Sequence, residues 1–247
     1  MLDYTDEAER YDASRGGEPR AAAAARGVLR LVPRHTRSLL DVACGTGIVT
    51  RHLAAARPGT RVTGADLTYA MARRAAARLP GAVVIADCRR LPFPDGFFDA
   101  VSTVWLLHLL PRPEQVGAVV AECARVLRPG GVHVTTVDKA AAHNVGSDID
   151  AVLASRPRTP AVDTAPAVES YAAEHGLRPA GATRFRGRGQ GRSPRRTIAD
   201  LHRGWFVTLP PGHPLADGFA ARLAGLPDQD RPRPDPWFTL RAFRKAT

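Results

Sequence analysis

The strongest chemical signal is the run Leu39-Leu40-Asp41-Val42-Ala43-Cys44-Gly45-Thr46-Gly47. An apolar stretch ends there in a glycine turn, and Ile48 to Ala56 can start a helix directly after it. Gly45 and Gly47 have no side chain, so backbone can pass close beneath a ligand. A helix N-terminus at such a turn would suit a phosphate. The dinucleotide fingerprint, however, wants G-x-G-x-x-G/A, and Thr50 stands where its third glycine belongs. Asp41 precedes the turn. A carboxylate is poor company for a pyrophosphate and good company for a ligand carrying an ammonium and a sulfonium. A second acid, Asp66, closes Arg61-Val62-Thr63-Gly64-Ala65-Asp66, 19 positions after Gly47 (66 − 47). An acid there can accept two hydrogen bonds from a ribose diol. A third, Asp87, follows Ala82-Val83-Val84-Ile85-Ala86. Three acids thus stand at three successive strand ends.

The elements that must position these acids alternate along the chain. Short apolar runs predict strands at 38–43, 61–66, 82–86, 97–104 and 132–137. Between them, helices are expected at 48–56, from Thr68 as cap to Leu79, and over the stripe Val116, Val119, Val120, Cys123, Val126 and Leu127. Pro58-Gly59, Pro80-Gly81 and Pro129-Gly130-Gly131 punctuate them. Five strand–helix alternations imply parallel βαβ units and a doubly wound α/β sheet, with ligands at the carboxyl ends of the strands. Before this core, RAAAAARGVLRLVP predicts a helix ended by Pro33. After it, the pattern predicts a helix from Ala165 to His175 and a strand from Ala182 to Arg186. Helical stretches are expected near 198–205 and 215–223, and a last strand from Trp237 to Phe243.

The chain has 247 residues, enough for one domain with an added subdomain. Its formal charge is +11. In a chain so rich in Arg, Ala and Pro, that charge reads first as a basic surface and second as a nucleic-acid footprint. Six arginines fall between Arg184 and Arg196, read here as a strand end and loop. Cys44, Cys88 and Cys123 are odd in number and far apart, so neither a disulfide scaffold nor a zinc site is expected. The first residues are acidic, with no apolar h-region, and no apolar run is long enough to span a membrane. A cytoplasmic enzyme is expected, with no metal, as a monomer or homodimer.

LLDVACGTG resembles the first motif of the class I methyltransferases that depend on S-adenosylmethionine (SAM). The resemblance covers residues 37–138 well and the rest loosely, and LPF, FFDAV and RVLRPGG follow the family's usual course. It implies a Rossmann-like, mostly parallel seven-stranded sheet with an antiparallel last strand and a small helical insertion. It implies a single domain: an N-terminal lid with helices over 1–33, a SAM-binding core over 34–140, and a substrate-side insertion over 187–236. Asp41 would meet the methionine moiety, and Ala43, Gly45 and Gly47 would run beneath the cofactor. Asp66 would bind the ribose and Leu67 would pack on the adenine. Asp87 would accept from the adenine amino group beside the Cys88 backbone. Tyr11 and Arg15 resemble the lid of the small-molecule members.

His108 aligns with a histidine common in small-molecule members, and a neutral imidazole can take a proton near pH 7. Its alternative role is to bond a backbone carbonyl and pack. Trp105 can line the pocket or fill the core. The leading reading is methyl transfer to an O, N or C atom of a small natural-product or quinone-like acceptor. RNA or protein methylation is the second reading. The [DNS]PP[YFW] motif of amino-directed DNA and RNA enzymes is not present, as Ser102-Thr103-Val104-Trp105 stands in its place. A SAM-binding enzyme of this fold that transfers no methyl is the third.

Overall fold

The computed structural model describes residues 8–9, 11–206, 208–210 and 212–247. Seven strands form one sheet: β1 (Ser38–Val42), β2 (Arg61–Asp66), β3 (Val83–Ile85), β4 (Phe98–Thr103), β5 (Leu127–Val137), β6 (Leu177–Arg186) and β7 (Trp237–Lys245). Their order is β3-β2-β1-β4-β5-β7-β6. β7 runs antiparallel to both β5 and β6, and the first five strands are parallel. The strand order reverses between β1 and β4, which is where an open α/β sheet leaves a crevice.

The longer helices are α1 (Gly17–Leu31), α2 (Ile48–Ala56), α3 (Tyr69–Arg78), α4 (Pro113–Val126), α5 (Ala165–Glu174), α6 (Pro194–His202) and α7 (Pro214–Ala224). Side chains alternate across a strand, and the sheet uses both faces. Leu39, Ala100 and Ala242 point into one apolar layer with Val28 of α1 and Leu53 of α2. Leu40, Val101 and Phe243 point into the other, with Val116, Val120 and Cys123 of α4 and Ala172 of α5. A third, smaller cluster joins α6 and α7 to the short helix Asp148–Val152 through Leu201, Phe219, Leu223 and Ile149. Ser147 starts that short helix with a capping box whose other member is Asp150.

Two strands begin well before their sequence pattern suggests. β5 begins at Leu127 because Pro129-Gly130-Gly131, expected as a stop, is absorbed by a register shift opposite Phe98 and Ala100. β6 begins at Leu177 because it lies on the sheet edge. Pro179 and Gly181 sit in a bulge there, and an edge tolerates a missing donor. Thr68 occupies the position before α3 but makes no side-chain cap. The Asp66 carboxylate takes the Thr68 backbone N–H instead, at 2.9 Å. Among the described residues, no helix is long and apolar enough to cross a membrane.

Candidate active site

A cavity of about 230 Å³ opens at the carboxyl ends of β1, β2 and β4. The turn after β1 forms its floor. Gly45 has φ +58, and a Cβ built on it would meet nothing within 4 Å, so it would project into open space. Gly47 serves a different purpose: its missing Cβ lets α2 approach Ala75 of α3, where a Cβ would come within 2.9 Å. Gly47 is accordingly not among the lining residues.

Asp66 fastens this floor. Its carboxylate accepts the Gly45 N–H at 2.8 Å and the Thr68 N–H at 2.9 Å, tying the β1 and β2 ends together. Burial raises its pKa, against the pull of those two donors. Asp41 is 3% exposed and accepts from Thr50 Oγ1 at 2.6 Å and Ser102 Oγ at 2.7 Å. Burial raises its pKa to about 6, although both hydroxyls pull the other way. Between the two carboxylates and Cys88, the wall is apolar, with Leu67, Met71, Val104 and Leu110.

Backbone strain gathers here. Among the described residues, four non-glycine residues have φ in the left-handed region, and three of them follow adjacent central strands. They are Ala43 (φ 56) after β1, Trp105 (φ 59) after β4 and Asp138 (φ 52) after β5. Each such residue costs on the order of 1 kcal/mol, and strain of this kind persists where surrounding structure enforces it, often at functional sites. The Trp105 N–H is held by Thr136 Oγ1 at 2.8 Å.

The N-terminal segment closes one side. Asp12, which sequence reasoning passed over for its neighbour Tyr11, accepts from Thr46 Oγ1 at 2.6 Å and pairs with Arg78 at 2.6 Å. Tyr11 lines the cavity, as does Arg20 of α1, whose guanidinium lies 3.9 Å from the centre of the Trp105 ring. Arg15 stacks on Trp205 at 3.6 Å. Gly16 (φ +88) lets this segment dock: a Cβ there would sit 2.3 Å from the Arg188 carbonyl oxygen. Gly16→Ala is therefore expected to destabilise the segment by roughly 1 kcal/mol. Limited proteolysis should then cleave ahead of α1 several-fold faster, while the sheet stays intact.

Four of the expected site residues do not line the cavity: Gly47, Arg15, which stacks on Trp205 instead, Asp87 and His108. Asp87 is clamped by its neighbour Arg89, whose Nη2 donates at 2.6 Å, and this hydrogen bonding lowers the Asp87 pKa. His108 lies in a 3-10 turn, Leu107–Leu109, with Nδ1 buried and no partner among the described residues. Burial first, then Lys139 and Arg15, hold its pKa well below the usual value, so the ring is neutral near pH 7. The cavity does gather Tyr11, Asp41, Ala43, Gly45, Asp66, Leu67 and Cys88. Among the described residues, no group of three His, Cys, Asp or Glu side chains could hold a metal ion.

Residues 40–135 match the family described as a methyltransferase domain. Over 137 residues the chain is 41% identical to the ubiquinone/menaquinone biosynthesis C-methyltransferase UbiE of Methylobacterium nodulans, covering 50% of this chain and 53% of that protein. An uncharacterized chloroplastic methyltransferase of Arabidopsis thaliana is 38% identical over 108 residues, 40% of this chain and 30% of that one. The chain thus spans about half, or less, of the curated relatives it matches. Among solved structures, the cyclase SpnF superposes with a TM-score of 0.63 at 20% identity, covering 99% of this chain and 94% of that one. Geranyl diphosphate C-methyltransferase of Streptomyces coelicolor, solved with Mg2+, geranyl diphosphate and S-adenosyl-L-homocysteine, gives 0.55 at 16% identity, covering 91% and 79%. These structural likenesses establish the fold.

Proposed function

We infer, for a chain whose residues 40–135 match the methyltransferase domain family, that it transfers a methyl group from SAM to an O, N or C atom of a small acceptor, natural-product or quinone-like. One observation carries this reading: Asp66 and Asp41 flank a turn whose Gly45 leaves open space above it. The donor set fits such a cofactor. Asp66 can accept a ribose diol, Asp41 offers a buried carboxylate to an ammonium, and the apolar wall with Cys88 suits a purine ring. Among the described residues that line the cavity, Arg20 is the one cation, and it lies against the Trp105 ring.

When bound, SAM supplies a methyl already activated on a sulfonium, so the protein chiefly aligns and excludes water, effects worth up to about 7–11 kcal/mol. Asp66 holds the floor turn rigid while presenting its carboxylate to the ribose. Asp41, fixed by two hydroxyls, does not need to reorganise to meet a cation. Trp105 and Arg20 wall the far end of the cavity, toward the acceptor. His108, three residues past Trp105 in the chain, is neutral near pH 7, and the burial and cations that keep it so also weaken it as a base, so in this reading it orients the acceptor rather than taking its proton. α6 and α7, within 187–236, cover the acceptor side in this reading.

The raised pKa of Asp41 gives a pH signature. Its folded pKa, about 6, lies above the ordinary 3.8, so the folded protein takes up the proton more readily than the unfolded chain. Stability from this group is therefore lost as pH rises through 3.8 to about 6, by roughly 3 kcal/mol. A cationic ligand group wants the ionised form. Affinity for S-adenosylhomocysteine should be full above pH 6 and fall by up to about tenfold per pH unit below it. Calorimetric titration at pH 7 and pH 5 reads this, and Asp41→Asn should flatten the difference.

The activity itself is tested by incubating the protein with SAM and a panel of quinols, phenols and carboxylic acids. S-adenosylhomocysteine formed in step with a methylated acceptor supports the reading. An acceptor rearranged while SAM stays unchanged would contradict it.

A further inference from the structure

The segment ahead of α1 is fastened at two places. One is the glycine turn of the cavity floor. Thr46, between Gly45 and Gly47, is 1% exposed and is held at two of its atoms. Its Oγ1 donates to Asp12 Oδ1 at 2.6 Å, and its carbonyl accepts from Arg78 Nη1 at 2.6 Å. Arg78 Nη2 closes the triangle on Asp12 Oδ2, again at 2.6 Å. Arg78 is the last residue of α3, so the N-terminal segment, the glycine turn and α3 meet in one latch. Tyr11, next to Asp12, lines the cavity itself.

The other fastening lies on the 187–236 insertion. The Ser14 carbonyl accepts from the Arg196 guanidinium of α6. The Arg15 carbonyl accepts from Gln190 Nε2 at 3.4 Å, and the Arg15 guanidinium stacks on Trp205 just past α6. Gly16 and Gly189 meet backbone to backbone: a Cβ on Gly189 would come within 3.1 Å of the Gly16 Cα. The arginine-rich stretch 184–196 thus serves as a dock for the N-terminal segment. Among the described residues of 187–236, none lines the cofactor cavity.

Between these fastenings the segment has no core of its own. Its single helical turn, Tyr11–Ser14, buries none of its residues. One turn of helix is not stable alone. Local bonds stiffen it, with Ser14 Oγ donating to the Tyr11 carbonyl at 3.0 Å and the Arg15 N–H to the Asp12 carbonyl at 3.2 Å. Asp12 and Gly16 are only four positions apart (16 − 12), too few for slack to absorb a movement at either end. A short stiff segment held at its two ends loses order when either end is released.

We propose that residues 11–16 form a strap coupling the cofactor turn to the 187–236 insertion, with Asp12 as the positioning residue at the cofactor end. The proposal rests on the methyltransferase reading, which makes the glycine turn the floor for SAM. A ligand on that floor steadies Thr46, and through Asp12 it steadies the docking of the insertion. Coupling of this kind is reciprocal. An acceptor that seats the insertion therefore tightens the hold on the cofactor, and the two substrates bind cooperatively.

Two measurements on the full chain test this: calorimetric titration with S-adenosylhomocysteine, and amide hydrogen exchange in α6. In the parent, saturating S-adenosylhomocysteine should slow exchange in α6 several-fold, although no α6 residue lines the cavity. Asp12→Ala should weaken binding about tenfold and abolish that protection. Asp12→Asn keeps an acceptor for Thr46 Oγ1 and should recover part of the affinity. Arg196→Gln, remote from the cavity, should weaken binding about threefold. Added to Asp12→Ala it should cost nothing more, because the strap is already released. Gly189→Ala gives the same readout from the insertion side if Arg196→Gln does not fold. Arg195→Gln, on the same helix but paired with Asp230, should behave like the parent. Parent affinity in Arg196→Gln, additive losses in the double variant, or α6 exchange unchanged by the ligand would each overturn the strap while leaving the methyltransferase reading intact. Failure of the parent to bind S-adenosylhomocysteine at all would overturn both.

Discussion

Asp66→Ala should weaken S-adenosylhomocysteine binding by at least about a hundredfold. Two losses add. The ribose would lose a charged acceptor, and hydrogen bonds to charged groups contribute about 1.5–3 kcal/mol each. The Gly45 N–H and Thr68 N–H would lose their common acceptor as well, so the floor turn would no longer be held. Asp66→Asn separates the two. The amide oxygen can still accept one backbone N–H, so its Tm should stay closer to that of the parent while affinity still falls more than about tenfold. Equal affinity in Asp66→Asn and the parent would show that the carboxylate is only a brace.

The largest effect on stability is expected at Asp99, which touches no ligand. Asp99 is 7% exposed. Its Oδ2 accepts the Arg37 N–H at 2.6 Å and the Ser38 N–H at 2.9 Å, and its Oδ1 pairs with Arg128 at 2.7 Å. Burial raises its pKa, but these donors together outweigh it, and the net shift is downward. With a folded pKa below the unfolded one, its contribution is present at neutral pH and is lost as pH falls through the lowered folded value. Asp99→Ala would leave two backbone donors without an acceptor, at about 1–3 kcal/mol each. A loss of roughly 3 kcal/mol in a denaturant titration is expected. S-adenosylhomocysteine affinity of the folded fraction should be unchanged, because Asp99 lies at the opposite, amino end of the β1–β4 pair.

That contrast bears on what the sequence makes legible. Asp41, Gly45 and Asp66 are readable because each lies within a few residues of a strand end. Local pattern fixes such positions. Asp99 sits in FFDAV, which reads as a strand, but its donors lie 61 and 62 positions away, so its role as a brace has no local signature. Gly47 reads like Gly45, yet it is needed for helix packing against Ala75, a contact made through the fold. Asp87, expected to end the third strand, lies two residues past the end of β3, and Arg89 two positions on competes for its carboxylate.

The far side of the cavity is less readable for the same reason. Arg20 reaches the cavity from α1, and an arginine in an alanine-rich helix carries no mark of burial. The strands show the same split. β1, β2 and β4 are apolar runs closed by turns, which sequence resolves well. β5 and β6 extend through Pro and Gly by way of bulges, and a bulge needs a partner strand to exist.

The central claim, that the turn between Asp41 and Asp66 holds SAM, is tested most directly by calorimetric titration of the parent protein with S-adenosylhomocysteine at pH 7. The structure predicts saturable binding, one ligand per chain, weakened in Asp66→Ala and retained in Asp99→Ala. No heat, together with no thermal shift from either SAM or its product, would contradict the claim.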